Sequence, residues 1–178
     1  MTTIQAEIPT ITTERLVLRE TRPSDVPALM AMSADPLFTE FIGGPSEPNE
    51  ARAWLMIARQ WGMWCLRGHG MWAITLRSTG EMIGRTGLWW EPGWPGLEAA
   101  YFIASAHWGN GYATEAAREA VRFGFEVCGA EAVVSVIRPD NRRSLRVAEK
   151  LGERFWREER LHGAVKHVYR VERGAWGR

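Results

Sequence analysis

A short glycine-containing loop between an apolar strand and a helix constrains this 178-residue chain more than any other sequence feature. Residues 97–104 form a short, largely apolar run that is predicted to be a strand, and a long helix is predicted from residue 112 to about residue 128. The connecting turn is Gly109-Asn110-Gly111. Glycine lets a backbone approach a ligand, and the unpaired N–H groups of a helix start attract anions. The loop is therefore a candidate phosphate site, although an ordinary strand-to-helix turn has the same pattern.

Two common nucleotide motifs do not match this loop. No Gly-Lys-Ser/Thr follows the glycines, so it is not a Walker loop. Thr114 occupies the third glycine position of the dinucleotide fingerprint. Generic ATP and NAD sites are accordingly disfavoured.

The rest of the chain interleaves predicted strands and helices. Strands are predicted at residues 14–20, 71–76, 82–90, 97–104, 132–137, 154–160 and 165–171. Helices are predicted from residue 23, from an Asn49 cap to about residue 66, from 112 to about 128, and at 141–151. This order favours a mixed α/β (α+β) sheet in one domain over residues 1–178, with its core at about 13–172.

Composition and charge narrow the function classes. The chain is 46% hydrophobic and 24% charged, which is typical of a globular protein. Its net charge of +1 gives no overall electrostatic attraction to nucleic acid or to a membrane surface. No signal peptide or apolar run of 18 residues appears, so we expect a cytoplasmic protein. Cys65 and Cys128 have no further cysteine or histidine nearby at metal-ligand spacing, so we expect no metal site. Cys128 ends the apolar face of a predicted helix, so we predict that it packs in the core.

The charges are unevenly distributed along the chain. Residues 138–178 contain 12 of the 22 basic residues but only 6 of the 21 acidic ones. This surplus fits either a solvated basic surface or a docking place for a phosphorylated ligand. The acidic surplus before residue 138 mildly favours a cationic substrate.

Ten tryptophans are present, and seven of them lie between residues 54 and 94. Trp54 and Trp61 keep helical spacing and are predicted to pack in the core. Neighbouring Trp89 and Trp90 would face opposite sides of one strand, so at least one would line a substrate pocket or a dimer surface.

Three motifs, in order, resemble the GNAT N-acetyltransferase superfamily. WGNGYATEA at residues 108–116 resembles its acetyl-CoA loop, and PDNRRSLRVAEKLG at 139–152 resembles its P-x-N-x-x-S-x-x-x-x-x-K-x-G segment. TERLVLR at 13–19 is similar to the first strand of the RimJ/RimL-like branch, which acetylates N-terminal amines of ribosomal proteins. Together these motifs cover most of residues 13–172.

The resemblance implies a GNAT fold, with a central twisted mixed sheet that is splayed in the middle and flanked by about four helices. It implies acetyl-CoA (coenzyme A) as co-substrate and no metal. The residues that it assigns to coenzyme binding are Phe102, Ile103, Trp108, Gly109, Asn110, Gly111, Tyr112, Ala113, Asn141 and Arg146, with Arg142 as an alternative to Arg146. Two positions depart from the family pattern. Ala106 replaces a Gln or Arg at the start of the loop, and Glu153 replaces an aromatic residue.

Acetyl transfer to an amine needs a base, an oxyanion site and a proton donor. At pH 7, deprotonating an α-amine costs about 1.4 kcal/mol and deprotonating a lysine about 4.6 kcal/mol. Glu98 is the candidate base, because its apolar strand neighbours would raise its pKa; alternatively it pairs with an arginine. The resemblance implies that Ser144 protonates the departing thiolate, since similar enzymes use this serine or a nearby tyrosine, here Tyr169. Alternatively, Ser144 is a first-turn serine that only hydrogen-bonds to the backbone.

The sequence thus predicts an N-acetyltransferase that moves acetyl from acetyl-CoA to a primary amine. The acceptor is a protein N-terminus or a small molecule, with Trp89 and Trp90 as candidate contacts. A catalytically silent acyl-CoA-binding module is the alternative function. We expect a monomer or homodimer with no nucleic acid or membrane partner.

Overall fold

The structure of the protein, a computed structural model, describes residues 7–44 and 46–177. The eight strands of the described residues are β1 Ile11–Thr12, β2 Leu16–Arg19, β3 Met71–Leu76, β4 Met82–Trp89, β5 Glu98–Ile103, β6 Ala132–Ile137, β7 Arg154–Leu161 and β8 Ala164–Glu172. The five α-helices are α1 Val26–Ala34, α2 Pro36–Thr39, α3 Glu50–Arg67, α4 Tyr112–Glu126 and α5 Arg142–Lys150.

The chain forms two compact units, and the strands β4 and β5 each contribute residues to both. The first unit comprises the described residues up to Arg85 together with Phe102–Tyr112. The second comprises Thr86–Tyr101 and the described residues from Ala113 onward. A single domain over residues 1–178 stays a prediction.

In the first unit the strand order is β1-β2-β3-β4, and β2 pairs antiparallel with both β1 and β3. Leu16 and Leu18 alternate with half-buried residues on β2 and are fully buried, as their spacing predicts. Helices α1 and α3 pack on each other through Leu29, Met32 and Ile57.

Helix α3 begins after the Asn49 cap, whose side chain accepts a hydrogen bond from Arg52 N, as predicted. The predicted core face of this helix is only partly right: Trp61 is half-buried and packs against the core cluster, as predicted, but Trp54 does not. The buried residues of the helix are Ala53, Ile57, Gln60 and Trp64, whereas Trp54 is 44% exposed. The buried face of the helix contains a glutamine, and its exposed face contains apolar residues. The spacing of the apolar residues alone therefore does not identify which face of the helix is buried.

In the second unit the strand order is β4-β5-β6-β8-β7. β5 and β6 are parallel, while β6, β8 and β7 are antiparallel, so the sheet is mixed as predicted. β5 and β6 register at a single residue pair, Glu98 with Val134, and then part. The sheet is therefore splayed at this point, in agreement with the GNAT expectation.

The predicted strands and the four longer helices are all present, and the structure adds the short β1 and α2. One further core prediction is wrong, because Cys128 is exposed. Helix α4 ends at Glu126, so Cys128 lies outside the helix and is not part of its apolar face. None of the helices among the described residues is long and apolar enough to cross a membrane.

Candidate active site

The end of β5 in the first unit is held at very short range to β4. A Cβ atom on Gly84 would lie 2.2 Å from the carbonyl oxygen of Phe102 and 3.1 Å from the Cα of Ile103. Only glycine allows this approach of the two backbones. Gly84 therefore sets the position of the strand end from which the predicted coenzyme loop departs, a role that sequence reasoning missed.

The loop after β5 has the conformation that its glycines predict. Gly109 and Gly111 have φ angles of +82° and +79°, in the left-handed region that favours glycine. The indole Nε1 of Trp108 donates to the Ile103 carbonyl oxygen at 2.7 Å, and the Asn110 side chain donates to the His107 carbonyl at 3.1 Å. The loop is thus tied to the strand end, and helix α4 begins directly after it at Tyr112.

An arginine from the start of the chain reaches this loop. Arg15 Nη1 donates to the Asn110 carbonyl oxygen at 2.8 Å, and its guanidinium lies 4.9 Å from the centre of the Tyr112 ring. Its Nη2 would be 3.5 Å from a Cβ atom on Gly111. A positive charge therefore stands at the loop even though Ala106 supplies none. A glycine loop, a helix start and an arginine together fit a pyrophosphate.

Glu98, the predicted base, lies in the second unit where β5 and β6 part. Val134 N donates to the Leu97 carbonyl at 2.9 Å, so a regular parallel ladder would next pair Val136 N with the carbonyl of Ala99. Val136 N instead donates to Glu98 Oε1 at 3.3 Å. The carboxylate occupies the place of a backbone acceptor and satisfies a strand N–H at the splay.

The other carboxylate oxygen has a tryptophan partner. Trp94 Nε1 donates to Glu98 Oε2 at 2.7 Å, so Glu98 contacts an indole and a backbone amide, not the arginine of the alternative interpretation. Burial raises the pKa of Glu98 to about 7, while the Trp94 hydrogen bond acts in the opposite direction. The raised pKa agrees with the prediction from its apolar neighbours. A carboxylate with this pKa is matched to proton abstraction near neutral pH.

A second buried carboxyl group lies in the same unit at the position that departs from the family pattern. Glu153 is 4% exposed, and Ser135 Oγ donates to its Oε1 at 3.0 Å. Burial raises the pKa of Glu153 to about 8, and the charge of Glu98 adds to this rise. Sequence reasoning noticed the departure at Glu153 but did not connect it with Glu98.

These two carboxyl groups predict an unusual pH dependence of stability. Because both pKa values are raised on folding, the stabilisation is complete below the unfolded value of 4.5 and is lost as pH rises through about 7 to 8. We expect the free energy of unfolding in urea to fall by about 3 kcal/mol or more between pH 5 and pH 9. Glu153→Gln should remove roughly half of that fall. Equal pH slopes for the variant and the wild type would contradict this assignment.

The predicted donor Ser144 lies in the first turn of α5 in this unit. Asn141 caps the helix, and its Oδ1 accepts a hydrogen bond from Ser144 N at 3.1 Å. Tyr101 OH donates to the Ser144 carbonyl oxygen at 3.0 Å. The structure thus brings Asn141 and Ser144 together and ties them to β5. Burial, with the charges of Glu153 and Glu98, raises the pKa of Tyr101, so this phenol keeps its proton.

The remaining predicted residues of the second unit are exposed or half-buried. Arg142 and Arg146 are exposed on α5, and Ala113 follows Tyr112 in the first turn of α4. Trp89 ends β4 and Trp90 lies just beyond it, so the prediction that they alternate within one strand is wrong. Both tryptophans and the alternative donor Tyr169 are half-buried. Their proposed roles stay predictions.

Sequence and structure comparisons give consistent matches. Residues 15–154 match the family model described as acetyltransferase (GNAT) domain. The uncharacterized protein YkkB of Bacillus subtilis (strain 168) is 31% identical over 150 residues, covering 82% of this chain and 85% of its own. The crystal structure of an acetyltransferase from Agrobacterium tumefaciens str. C58 has a TM-score of 0.80 and 32% identity, covering 97% of this chain and 99% of its own.

A more distant solved structure shares the fold alone. The ribosomal-protein-S5-alanine acetyltransferase from Vibrio fischeri has a TM-score of 0.72 and 14% identity, covering 96% of this chain and 100% of its own.

Proposed function

The chain belongs to the GNAT acetyltransferase family, and we propose that it transfers the acetyl group of acetyl-CoA to a primary amine whose proton is removed by Glu98. The observation that carries the proposal is the Glu98 carboxylate at the β5–β6 splay, with a pKa of about 7. Such a group accepts a proton from an α-amine at little cost near neutral pH. The same arithmetic disfavours a lysine side chain as acceptor.

The other roles are carried over from the family to this chain's residues. The backbone from Trp108 to Ala113 would hold the pyrophosphate, with Arg15 adding positive charge. Asn141 would contact the pantetheine arm, and Arg146 the nucleotide phosphate. The backbone N–H groups at Phe102 and Ile103 would stabilise the oxyanion, and Ser144, or Tyr169, would protonate the departing thiolate. No group of metal-binding side chains occurs among the described residues, and none of these steps requires one.

A thiol-release assay with a panel of amines tests the proposal. We expect acetyl-CoA-dependent release of thiol with peptides that have a free N-terminus or with small primary amines. Peptides with a blocked N-terminus and no lysine are the matched control and should be inert. Acetyl-CoA binding without turnover on any amine would instead identify a catalytically silent acyl-CoA-binding module. Turnover of peptides whose N-termini match ribosomal proteins would place the chain in the RimJ/RimL-like branch.

Arg15→Met tests the role of arginine at the loop. The variant loses a charged hydrogen bond to Asn110 and the positive charge beside Gly111, so we expect the KM for acetyl-CoA to rise about tenfold. The kcat at saturating acetyl-CoA should change less than about twofold. Arg22→Met, which removes an exposed arginine paired with Glu20, is the control and should behave as wild type. An unchanged KM in Arg15→Met would refute this role.

A further inference from the structure

A cavity of about 170 Å³ lies in the first unit, outside the groups described so far. Leu29, Met32, Phe38, Ile42 and Met56 form the apolar part of its wall, and Ser33, Thr39 and Ser46 also line it. Arg85 is the one charged side chain among the described residues that line it. Ile42 is 47% exposed, so the cavity reaches the surface beside this residue. The volume is similar to that of an apolar cavity that accommodates benzene.

Arg85 is half-buried and lacks the partners that an arginine inside a fold normally has. Its Nε is buried without a hydrogen-bond partner, and no hydrogen bond or ion pair joins Arg85 to a residue that the structure describes. Arg19 in the same unit shows the usual arrangement, because its two terminal nitrogens bind the Asp25 carboxylate at 2.8 and 2.7 Å. Burial lowers the pKa of Arg85 to about 10, and the side chain remains charged at pH 7. A half-buried charge that no protein group pairs destabilises a fold, which makes a ligand its expected partner.

The contact that Arg85 does make places the cavity beside β5. Its guanidinium carbon lies 5.1 Å from the centre of the Phe102 ring, and the ring of Phe38 lies 6.5 Å from the same ring. An aromatic face compensates only a small part of the lost hydration. Phe102 belongs to the segment that the family resemblance assigns to the coenzyme, so an acceptor bound in this cavity would reach the end of β5.

We infer that Arg85 and the cavity beside it bind the carboxylate of the acceptor, so that the acceptor is a primary amine with a carboxylate and a small apolar body. This inference rests on the proposed function. A planar carboxylate matches the two-pronged donor geometry of guanidinium, and the apolar wall favours an attached hydrocarbon over a fully hydrated phosphate. It also departs from the cationic acceptor that the acidic surplus of the first 137 residues mildly favours.

Ligand binding without turnover provides the first test, with benzoate, its neutral analogue benzamide and inorganic phosphate as probes. Benzoate should raise the Tm of the wild type in a concentration-dependent way, and the two other probes should not. Arg85→Met should bind benzoate at least about tenfold more weakly and, without ligand, should unfold at a higher temperature because an unpaired charge is gone. Arg85→Lys keeps the positive charge but loses the two-pronged donor geometry of the guanidinium, so it should also bind benzoate more weakly. Arg160→Met, at an exposed hairpin of the second unit, is the matched control and should bind as wild type.

Benzoate binding that survives in Arg85→Met, or equal binding of benzamide or phosphate by the wild type, would overturn the inference. The second test compares the acetylation of amino acids with that of their carboxamides. We expect kcat/KM for the carboxylate form to be at least about tenfold higher in the wild type and the preference to disappear in Arg85→Met.

The two proposals fail in different ways. If the wild type acetylates carboxamides as well as carboxylates, the carboxylate site is wrong and acetyl transfer to amines stands. If no amine supports thiol release while benzoate binding depends on Arg85, the pocket assignment stands and the proposed function is wrong.

Discussion

Glu98→Gln is expected to lower kcat about 100-fold to 1,000-fold while leaving the affinity for acetyl-CoA unchanged, because it removes a general base without changing side-chain volume. Both carboxylate oxygens of Glu98 accept hydrogen bonds, from Trp94 Nε1 and Val136 N. A glutamine retains one acceptor and turns an N–H₂ group toward the other donor. Single-turnover measurements with a saturating amine, combined with calorimetric titration of acetyl-CoA, separate the chemical step from binding.

The pH profile distinguishes a base from a residue that only supports the strand. Because the base acts in its ionised form, kcat of the wild type should rise with pH through about 7 and then reach a plateau. The inflection should disappear in Glu98→Gln. Trp94→Phe removes a hydrogen bond that lowers the pKa of Glu98, so its inflection should move to higher pH.

A carboxyl group far from the splay serves as control for these variants. Glu126→Gln changes an exposed glutamate at the end of α4 that pairs with Arg122, and it should leave kcat and its pH profile unchanged. If Glu98→Gln retains wild-type kcat, or keeps the inflection near pH 7, Glu98 is not the base.

Gly84→Ala is expected to destabilise the protein by about 3 kcal/mol or more, because the new methyl group would stand 2.2 Å from the Phe102 carbonyl oxygen. Backbone atoms cannot turn away as a flexible side chain can, so β4 and β5 must move apart at this point. For a chain of this length, such a loss lowers the Tm by roughly 6–12 °C. Thermal unfolding followed by circular dichroism measures this change.

The same substitution at another glycine should have the opposite sign. Gly62 lies inside α3, and a Cβ atom there would meet nothing within 4 Å. Gly62→Ala should therefore stabilise the protein by about 0.5–1 kcal/mol, since alanine favours the helix and restricts the unfolded chain. A Tm for Gly84→Ala equal to that of the wild type would show that the β4–β5 approach is not constrained.

The candidate catalytic residues could be selected from the sequence to the extent that they follow local patterns. The raised pKa of Glu98 follows from its place in an apolar strand, and the cap at Asn141 follows from its place before a helix. Trp94 could not be identified as a partner of Glu98, because an irregular turn with no period separates the two residues. Glu153 stood out only as a departure from the motif, since nothing local indicates a buried carboxyl group.

The amphipathic helix α3 also shows that local sequence patterns predict where an element lies but not which of its residues are buried. Its start at Asn49 and its end before Gly68 follow from capping residues, so its span was predictable. Trp54 is exposed although it was predicted in the core, and Gln60 is buried, because apolar residues occur on more than one side of this helix. The neighbours that cover a face decide which side is buried.

By itself, the sequence determined the order and span of the main strands and helices, and it predicted the candidate coenzyme loop and the candidate base Glu98. These properties depend on alternation, capping and motif spacing, which act over a few neighbouring residues. Only the tertiary structure decided that the Glu98 carboxylate replaces a strand acceptor, that Arg15 reaches Asn110 and that the half-buried Arg85 has no counter-ion among the described residues. Each of these depends on residues far apart in the chain, whose approach and loss of water are set by packing and leave no periodic trace in the sequence.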